Sequence, residues 1–317
     1  MNASIYNIRT LVKATAFMLL FLLLAGPVAA QDPPAEKPKE AVSKKYVKNT
    51  FESIWLLDNQ TVMVPIKGTF EMDILHRFGT MDKGYKDFFG FFAPSNIRLG
   101  FSYSPINNLM AGISITKSNM TWEGYAKYAI IKQTKGKGYP VSVTYYANLG
   151  IETRTKDNYV HFTDRLSYFH QLLIARKIND WLSLQVAPSI SHMNFVNGQF
   201  VDTSIVKSGR VQDRKHDHFA IALSGKFKIR EGMGILFNYD QPVTKHRTAN
   251  PRPNLSLGLE VTTSSHAFQI FVGNYYFITP QRNNYFNQNK GLEFNDGKLE
   301  HGKQFLIGFN ITRLWNW

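Results

Sequence analysis

Apolar and polar residues alternate along many short segments of this chain, and no other feature limits its fold as strongly. In residues 254–262, for example, Leu255, Leu257 and Leu259 share one face of an extended strand, while Ser256 lies on the other. A helix repeats about every 3.6 residues and would scatter both sets around its circumference. The pattern therefore predicts β-strands.

Twelve segments show this alternation, and together they predict an all-β fold, a transmembrane antiparallel up-and-down β-barrel of about twelve strands. The segments are residues 69–78, 95–104, 109–118, 121–134, 140–153, 162–177, 181–195, 218–230, 233–240, 254–262, 266–278 and 303–314. One face of each strand would contact lipid and the other a polar lumen. A soluble two-sheet sandwich would alternate in the same way and remains the alternative at this point.

The connections between the predicted strands separate into short and long groups. With a periplasmic N-terminus, the predicted periplasmic links are all short: residues 105–108, 135–139, 178–180, 231–232 and 263–265. The predicted outer links are residues 80–94, 119–120, 154–161, 196–217, 241–253 and 279–302, and only 119–120 breaks the long pattern. Barrels of the outer membrane have short periplasmic turns and long outer loops. The links therefore favour the barrel over the sandwich.

The N-terminal region predicts export. In residues 1–30, Arg9 and Lys13 precede an apolar run that is too short for a membrane-spanning helix, which is typical of a signal peptide. Residues 31–50 are rich in Pro, Lys and Glu and predict a disordered periplasmic tether. Residues 51–317 remain as the barrel domain.

Composition adds to this picture. Phe, Tyr and Trp make up 14% of the chain, which suits the aromatic girdles of a membrane barrel. The last predicted strand, residues 303–314, is aromatic and is followed by Trp315-Asn316-Trp317; it resembles an assembly signal, so we expect contact with the barrel assembly machinery. The absence of cysteine excludes disulfides and thiolate sites. The formal net charge of +14 predicts anionic surroundings such as lipopolysaccharide, whereas export argues against nucleic acid.

Six short stretches occur in order between residue 51 and the C-terminus. They are Gln60-Thr61-Val62, Lys67-Gly68-Thr69, His76-Arg77-Phe78-Gly79, Ser95-Asn96-Ile97-Arg98-Leu99-Gly100, Lys127-Tyr128 and Gly308-Phe309-Asn310-Ile311-Thr312-Arg313. In this order they resemble an uncharacterised Bacteroidota family of outer-membrane barrel proteins, described only as a domain of unknown function. The resemblance implies a barrel in the outer membrane and brings no substrate or catalytic residue.

Charged residues of both signs fall on the predicted lumen face. They are Glu71, Asp73, Arg77, Arg98, Glu123, Lys127, Glu152, Arg165, Lys226, Lys228, Arg230, Asp240 and Glu260. One interpretation is that they pair across strands in a narrow, hydrated interior. The other is a charged constriction that selects solutes, in which Lys226, Lys228 and Arg230 attract anions. A barrel of this size predicts a narrow or plugged pore.

Three histidine motifs are candidate sites of chemistry. His76 closes the first strand, and we expect an interface residue hydrogen-bonded to its neighbours rather than a catalytic base. His216 and His218 bracket Asp217 at a spacing that suits a metal, but a solvated loop edge is the favoured interpretation. Ser264-Ser265-His266 suggests a hydrolase but lies at a predicted periplasmic turn. No catalytic residue, metal or cofactor is therefore predicted.

The leading functional prediction is an outer-membrane barrel that acts as a narrow channel or binding barrel for a small solute. An outer-membrane enzyme that hydrolyses lipid or peptide is the first alternative. A structural barrel that docks a periplasmic protein through residues 31–50 is the second. Basic residues in the outer loops 196–217 and 241–253 predict contact with lipopolysaccharide phosphates.

Overall fold

The computed structural model describes residues 46–316 except for 137, 155–158, 197, 201–209, 213, 296–297 and 302–303. The predicted signal peptide and residues 31–45 of the predicted tether lie outside the described residues. Within the described part of the chain, no helix is long and apolar enough to cross a membrane.

The described chain forms a closed barrel of twelve antiparallel strands. The strands are β1 (Thr69–Thr80), β2 (Asn96–Ile106), β3 (Leu109–Thr116), β4 (Thr121–Ile131), β5 (Ser142–Glu152), β6 (Leu166–Lys177), β7 (Leu182–Met193), β8 (Asp217–Arg230), β9 (Met233–Pro242), β10 (Asn254–Thr262), β11 (His266–Gly273) and β12 (Leu306–Asn316). Each strand pairs with the next along the chain, and β12 pairs with β1 to close the sheet. The predicted up-and-down barrel is confirmed.

Shorter elements lie between or before these strands. Three two-stranded ribbons pair Trp55–Leu56 with Asn59–Gln60, Gly198–Phe200 with Arg210–Gln212, and Leu292–Asn295 with Lys298–His301. Within the described residues, one α-helix, α1, spans Pro280–Phe286, and 3-10 helices span Met81–Asp87, Ser118–Met120 and Phe162–Arg165.

The eleventh strand is shorter than predicted. We expected it to run to residue 278, but β11 ends at Gly273, and the following residues Tyr275 and Ile278 are buried. Their apolar character extends the alternation in the sequence. Alternation alone cannot distinguish side chains that contact lipid from side chains that pack inside the mouth of the barrel.

The links divide between the two ends of the barrel as predicted. We call one the turn end, where β1 starts, β12 ends and the connections are residues 107–108, 132–141, 178–181, 231–232 and 263–265. The other is the loop end, with connections 81–95, 117–120, 153–165, 194–216, 243–253 and 274–305.

Side chains alternate between the two faces of the barrel wall. In β1, Glu71 and Asp73 are buried inside, while Phe70, Met72 and Ile74 face outward. Large apolar residues cover the outer surface; Ile113, Phe219, Leu257 and Ile270 are all more than half exposed to solvent. Closure of the sheet pairs the two edge strands with each other. In lipid this pairing is required, because no water is present to form hydrogen bonds with the backbone N–H and C=O groups of an open edge. These features are those of a transmembrane barrel.

Candidate functional site in the barrel lumen

A hairpin formed by residues 51–64, which we call the lumen hairpin, fills the lumen next to the turn end. Just before it, Val47 donates its backbone N–H to the oxygen of Gln133 (2.8 Å). Just after it, Gly68 donates to the oxygen of Ser104 (2.8 Å). Both ends of the hairpin therefore lie at the turn end, and residues 46–50 of the predicted tether already contact the barrel.

The hairpin makes a tight turn inside the barrel. Trp55–Leu56 pairs with Asn59–Gln60, and the Thr61 N–H donates to the oxygen of Ile54 (2.8 Å). Leu57 has a φ of 61°, a left-handed conformation that residues with a side chain seldom adopt. Such a conformation persists only where the surroundings fix it. Leu57 is fully buried, so the lumen wall supplies those surroundings.

Two glutamines of the wall pair with the hairpin backbone as a neighbouring strand would. Gln269 accepts from the Leu57 N–H (3.2 Å) and donates to the carbonyl two residues earlier (2.7 Å). Gln185 accepts from the Val62 N–H (3.1 Å) and likewise donates to the carbonyl two residues earlier (2.8 Å). A side-chain amide carries the same donor and acceptor as a peptide group. The glutamines thus satisfy backbone groups that no strand reaches.

The tip of the hairpin is polar and spans the lumen. The Asp58 carboxylate accepts from Asn238 of β9 (2.8 Å) and from Asn283 of α1 (2.7 Å). Beside it, Asn59 donates to Asp240 of β9 (2.9 Å). The hairpin enters from the turn end and α1 from the loop end, so these bonds join them in one layer across the barrel.

Ion pairs surround the hairpin. Arg98 pairs with Asp73 and donates its Nε to Glu123 (3.0 Å). Its guanidinium also lies 5.0 Å from the Trp55 ring of the hairpin, in the range of a cation–π contact. Because all four side chains are buried, the charges satisfy each other rather than water.

Two lysines bind the hairpin directly. Lys127 of β4 donates to the Gln60 side chain (2.9 Å). Lys226 of β8 forms ion pairs with Glu52 of the hairpin and with Glu260 of β10. Most lumen charges of this part of the barrel therefore pair with one another or with the hairpin; the buried carboxyl group of Glu71 has no hydrogen-bond partner among the described residues.

The structure places most of the predicted lumen charges inside the barrel. The buried ones are Glu71, Asp73, Arg77, Arg98, Glu123, Lys127, Glu152, Lys226, Asp240 and Glu260. The expected rung of Lys226, Lys228 and Arg230 does not form inside the lumen, because Lys228 is only partly buried at the rim and β8 bulges between Lys228 and Arg230. Lys228 pairs with Glu231 at the rim (2.5 Å), and Arg230 is exposed. Arg165 lies in a 3-10 helix at the loop end.

A pocket of about 450 Å³ lies at the loop end, and we call it the loop-end pocket. Its charged lining residues are Glu152, Arg154, Asp164, Arg165, Arg214 and Arg282. Its aromatic lining residues are Tyr159, Phe195, Tyr285 and Phe286. A volume of this size is within the range of small-molecule sites, which combine an apolar lining with a few polar groups.

Helix α1 forms one wall of this pocket and is held by the barrel. Gln281 donates to Asn148 of β5 (3.0 Å), and Arg282 pairs with Glu152 at the end of the same strand. The Tyr285 hydroxyl donates to the Lys215 backbone oxygen (2.5 Å). One face of the helix thus lines the pocket while Asn283 contacts the lumen hairpin.

The motif His76-Arg77-Phe78-Gly79 is divided between the two faces of β1. Arg77 is buried and lies 4.5 Å from the Phe271 ring. His76 faces outward, stacks on Phe309 (4.9 Å between centroids) and meets Phe78 edge-on (4.4 Å). Its Nδ1 has no hydrogen-bond partner among the described residues, so ring contacts rather than the expected hydrogen bonds hold it.

The two histidines that bracket Asp217 have different partners. His216 donates its Nδ1–H to the Met193 backbone oxygen (2.6 Å), while His218 is buried and pairs with His246 through their ring nitrogens (2.9 Å). Among the described residues, no group of three or more His, Asp or Glu could hold a metal ion.

His246 belongs to the loop 243–253 and is neutral. Its Nδ1 accepts from the Lys215 N–H (3.0 Å), so the ring proton is on Nε2 and is donated to His218. Burial lowers the pKa of His246 to about 4, and Arg214 and Lys215 add to this effect. The loop end therefore depends on an uncharged imidazole.

Sequence analysis did not identify the lumen hairpin. It assigned residues 51–317 to the barrel without separating the segment before β1. A signal was present, because residues 51–57 are largely apolar and follow the polar residues 31–50. The segment has no strand-length alternation, which distinguishes it from the wall.

Similarity to known proteins extends over most of the chain. A family model described as membrane bound beta barrel domain (DUF5777) matches residues 51–315, which include the lumen hairpin. No curated protein matches the chain significantly.

Among solved structures, the NanC porin in a rhombohedral crystal form is 11% identical, with 78% of this chain and 99% of that chain covered and a TM-score of 0.45. An outer membrane channel from Pseudomonas putida F1 is 11% identical, with 80% and 97% covered and a TM-score of 0.44. The KdgM porin is 10% identical, with 78% and 99% covered and a TM-score of 0.41.

Proposed function

Because the chain belongs to the DUF5777 family of membrane-bound β-barrel domains, we propose that it is an outer-membrane barrel for a small solute. In this proposal the barrel is closed at rest and passes solute only when the lumen hairpin leaves the lumen. The turn end faces the periplasm and the loop end faces the exterior, which suits short turns on one side and long loops on the other.

The lumen hairpin is the observation that carries this proposal. Residues 51–62 are buried inside the barrel except for the partly exposed Glu52, and the tip at Asp58 is bonded to the wall and to α1. A channel needs a continuous polar path, and this segment interrupts it. Passage of solute through the described conformation is therefore blocked at the turn-end half.

The character of the contacts suits a segment that can move. Apart from an apolar cluster around Trp55 and Leu57, the hairpin is held by side-chain amides and ion pairs from the wall. Water can replace each of these when the hairpin withdraws, because the groups left behind are polar and the vacated lumen would be hydrated. Both ends of the hairpin are at the turn end, so withdrawal is toward the periplasm.

Conductance in planar lipid bilayers tests the proposal. The test variant replaces residues 51–64 with a glycine–serine segment of equal length, and the matched control replaces residues 31–44 in the same way. We expect steady conductance from the test variant and few or no openings from the control and the unchanged chain. A band that shifts on heating in a gel verifies that each barrel is folded.

Two outcomes would contradict the proposal. If the folded test variant conducts no better than the control, the lumen is not a solute path. If the unchanged chain conducts as well as the test variant, the hairpin does not close it. Separation of membranes by density tests the location, and recovery with the inner membrane would overturn the outer-membrane assignment.

A further inference from the structure

The described lining of the loop-end pocket contains four arginines and two carboxylates. Arg214 is held by contacts of its own, among them a hydrogen bond to the Tyr285 backbone oxygen (2.9 Å). Arg154 (3.1 Å) and Arg282 both pair with the same carboxylate, that of Glu152. The other acid, Asp164, accepts from the His161 backbone N–H (2.9 Å). The pocket is therefore electropositive.

Arg165 in particular is available for a ligand. Its NH1 donates to the backbone oxygens of Glu152 (2.9 Å) and Arg154 (2.8 Å), and its guanidinium lies 5.0 Å from the Tyr159 ring. Among the described residues no carboxylate pairs with it. Two backbone bonds fix the orientation of a guanidinium without neutralising it, and a fixed guanidinium fork is well suited to bind a carboxylate.

Further donors in the pocket lack partners. The Thr248 hydroxyl and the Arg282 Nε are buried and have no hydrogen-bond partner within the described structure. Buried donors are normally satisfied, because a buried donor without an acceptor destabilises the protein. Both residues line the pocket, so a bound acceptor would satisfy them.

The rest of the lining is apolar. Tyr159, Phe195 and Phe286 surround the charged groups, together with Leu166 and Met193. An inorganic anion would leave this apolar surface exposed to water. The lining therefore favours a ligand that has an apolar, preferably planar, body in addition to its anionic group.

We propose that the loop-end pocket binds a small organic anion, with its carboxylate at Arg165 and Thr248 and its apolar body against the aromatic side chains. This inference rests on the proposed function, because it names the class of solute that the barrel would take up from outside. Binding at the loop end does not require the lumen hairpin to move, so the two ideas fail separately.

Calorimetric titration of the purified full barrel in detergent tests the site, with 2-naphthoate as the probe and 2-naphthamide as its uncharged analogue. We expect naphthoate to bind at least about tenfold more tightly, because a charge-assisted hydrogen bond contributes about 1.5–3 kcal/mol. Inorganic phosphate should bind much more weakly than naphthoate. Equal affinity for naphthoate and naphthamide would overturn the proposal, as would phosphate binding as tight as naphthoate.

Two variants locate the site. Arg165→Gln should weaken naphthoate binding about tenfold or more and leave naphthamide unchanged, whereas Arg247→Gln, which removes an exposed arginine outside the pocket, should alter neither. Thr248→Val keeps the side-chain shape and should weaken naphthoate severalfold, which tests the site even if Arg165→Gln folds poorly. Equal losses in Arg165→Gln and Arg247→Gln would indicate general surface charge and contradict the proposal.

The measurement also separates this inference from the proposed function. If the variant that lacks the hairpin binds naphthoate but does not conduct, the channel proposal is contradicted and the anion site is supported. If that variant conducts but does not bind naphthoate, the anion site is contradicted and the channel proposal is supported.

Discussion

The two halves of the lumen are enclosed by the same twelve strands but are filled in opposite ways. Next to the turn end, the lumen hairpin occupies the space and its charges are paired with the wall. Next to the loop end, α1 covers part of the opening and leaves a pocket of about 450 Å³, in which Arg165 has no carboxylate partner among the described residues. The difference indicates that polarity alone does not make a path for solute. A polar lumen is available to solute only where its polar groups are not already hydrogen-bonded or ion-paired within the chain.

The largest effect on stability should come from removing a charge in the half of the lumen that the lumen hairpin fills. Lys226→Met leaves the buried Glu260 and the partly buried Glu52 without their cation, and breaking a buried ion pair costs about 3–5 kcal/mol. Lys228→Met, two residues along β8, removes the same charge at the rim, where Glu231 is exposed. Urea unfolding in detergent, followed by the gel shift, should show a large loss for the first variant and no measurable change for the second. Equal stability of the two variants would contradict the claim that a paired charge inside the lumen contributes more to stability than a paired charge at the rim.

A second effect concerns the glutamines that pair with the hairpin backbone. In the double variant Gln185→Ala, Gln269→Ala, four backbone groups of the hairpin lose partners, at about 1–3 kcal/mol for each group that stays buried. The hairpin should then leave the lumen part of the time, and bilayer recordings should show brief openings. Gln241→Ala, at an exposed position near the loop end, is the control. A double variant as silent as this control would mean that other contacts hold the hairpin.

Substitution of two glycines by alanine tests whether the two halves of the lumen differ in rigidity. An added methyl group at Gly100 would overlap the Asp73 carboxylate, which Arg98 holds in place. At Gly150 it would meet only the end of the flexible Gln281 side chain of α1 and the Ser167 hydroxyl. We expect Gly100→Ala to lower the unfolding free energy by about 1–3 kcal/mol and Gly150→Ala by less.

The open space beside Gly124, where nothing lies within 4 Å of an added methyl group, makes Gly124→Ala the control for both glycine variants. Urea midpoints give the ranking. A Gly150→Ala variant that is less stable than Gly100→Ala would reverse the comparison of the two halves.

The smallest effect is a pH dependence at the loop end. His246 is neutral when folded, with a pKa of about 4, and an exposed histidine has a pKa near 6.5. As the pH falls below about 6.5, the opened loop gains a proton that the closed loop cannot accept, so closure is progressively lost until the folded pKa is reached. At pH 5.5 opening should be about tenfold more frequent than at neutral pH.

Amide hydrogen exchange, corrected for its intrinsic pH dependence, measures this opening in loop 243–253. The turn-end links should show no comparable change. His246→Gln should abolish the pH dependence of loop opening. If opening of the loop depends on pH as strongly in that variant as in the unchanged chain, another group causes the dependence.

The barrel wall could be predicted from sequence because each strand repeats one simple rule. Leu257 and Ser256 differ in polarity as they differ in environment, and the lengths of the links placed the two ends of the barrel correctly. The lumen positions of Arg98 and Lys226 followed from the same alternation.

The candidate sites could not be predicted in this way. The lumen hairpin is defined by contacts with residues far along the chain, such as Asp58 with Asn238, and no local pattern encodes them. The loop-end pocket likewise joins Arg165 to Arg282 from separate links. The alternation itself fails at the end of β8, where Lys228 and Arg230 leave the lumen, and after β11, which ends at Gly273 although the alternation continues.

The position of the hairpin's two ends has a consequence for assembly. Because the segment enters and returns through the same opening, no chain terminus has to be threaded through the barrel for it to dock or to leave. Joining β12 to β1 and docking the hairpin are therefore topologically independent events. An empty barrel can close first, and its own N-terminal segment can then act as an intramolecular ligand whose effective concentration is fixed by the few residues that connect it to β1.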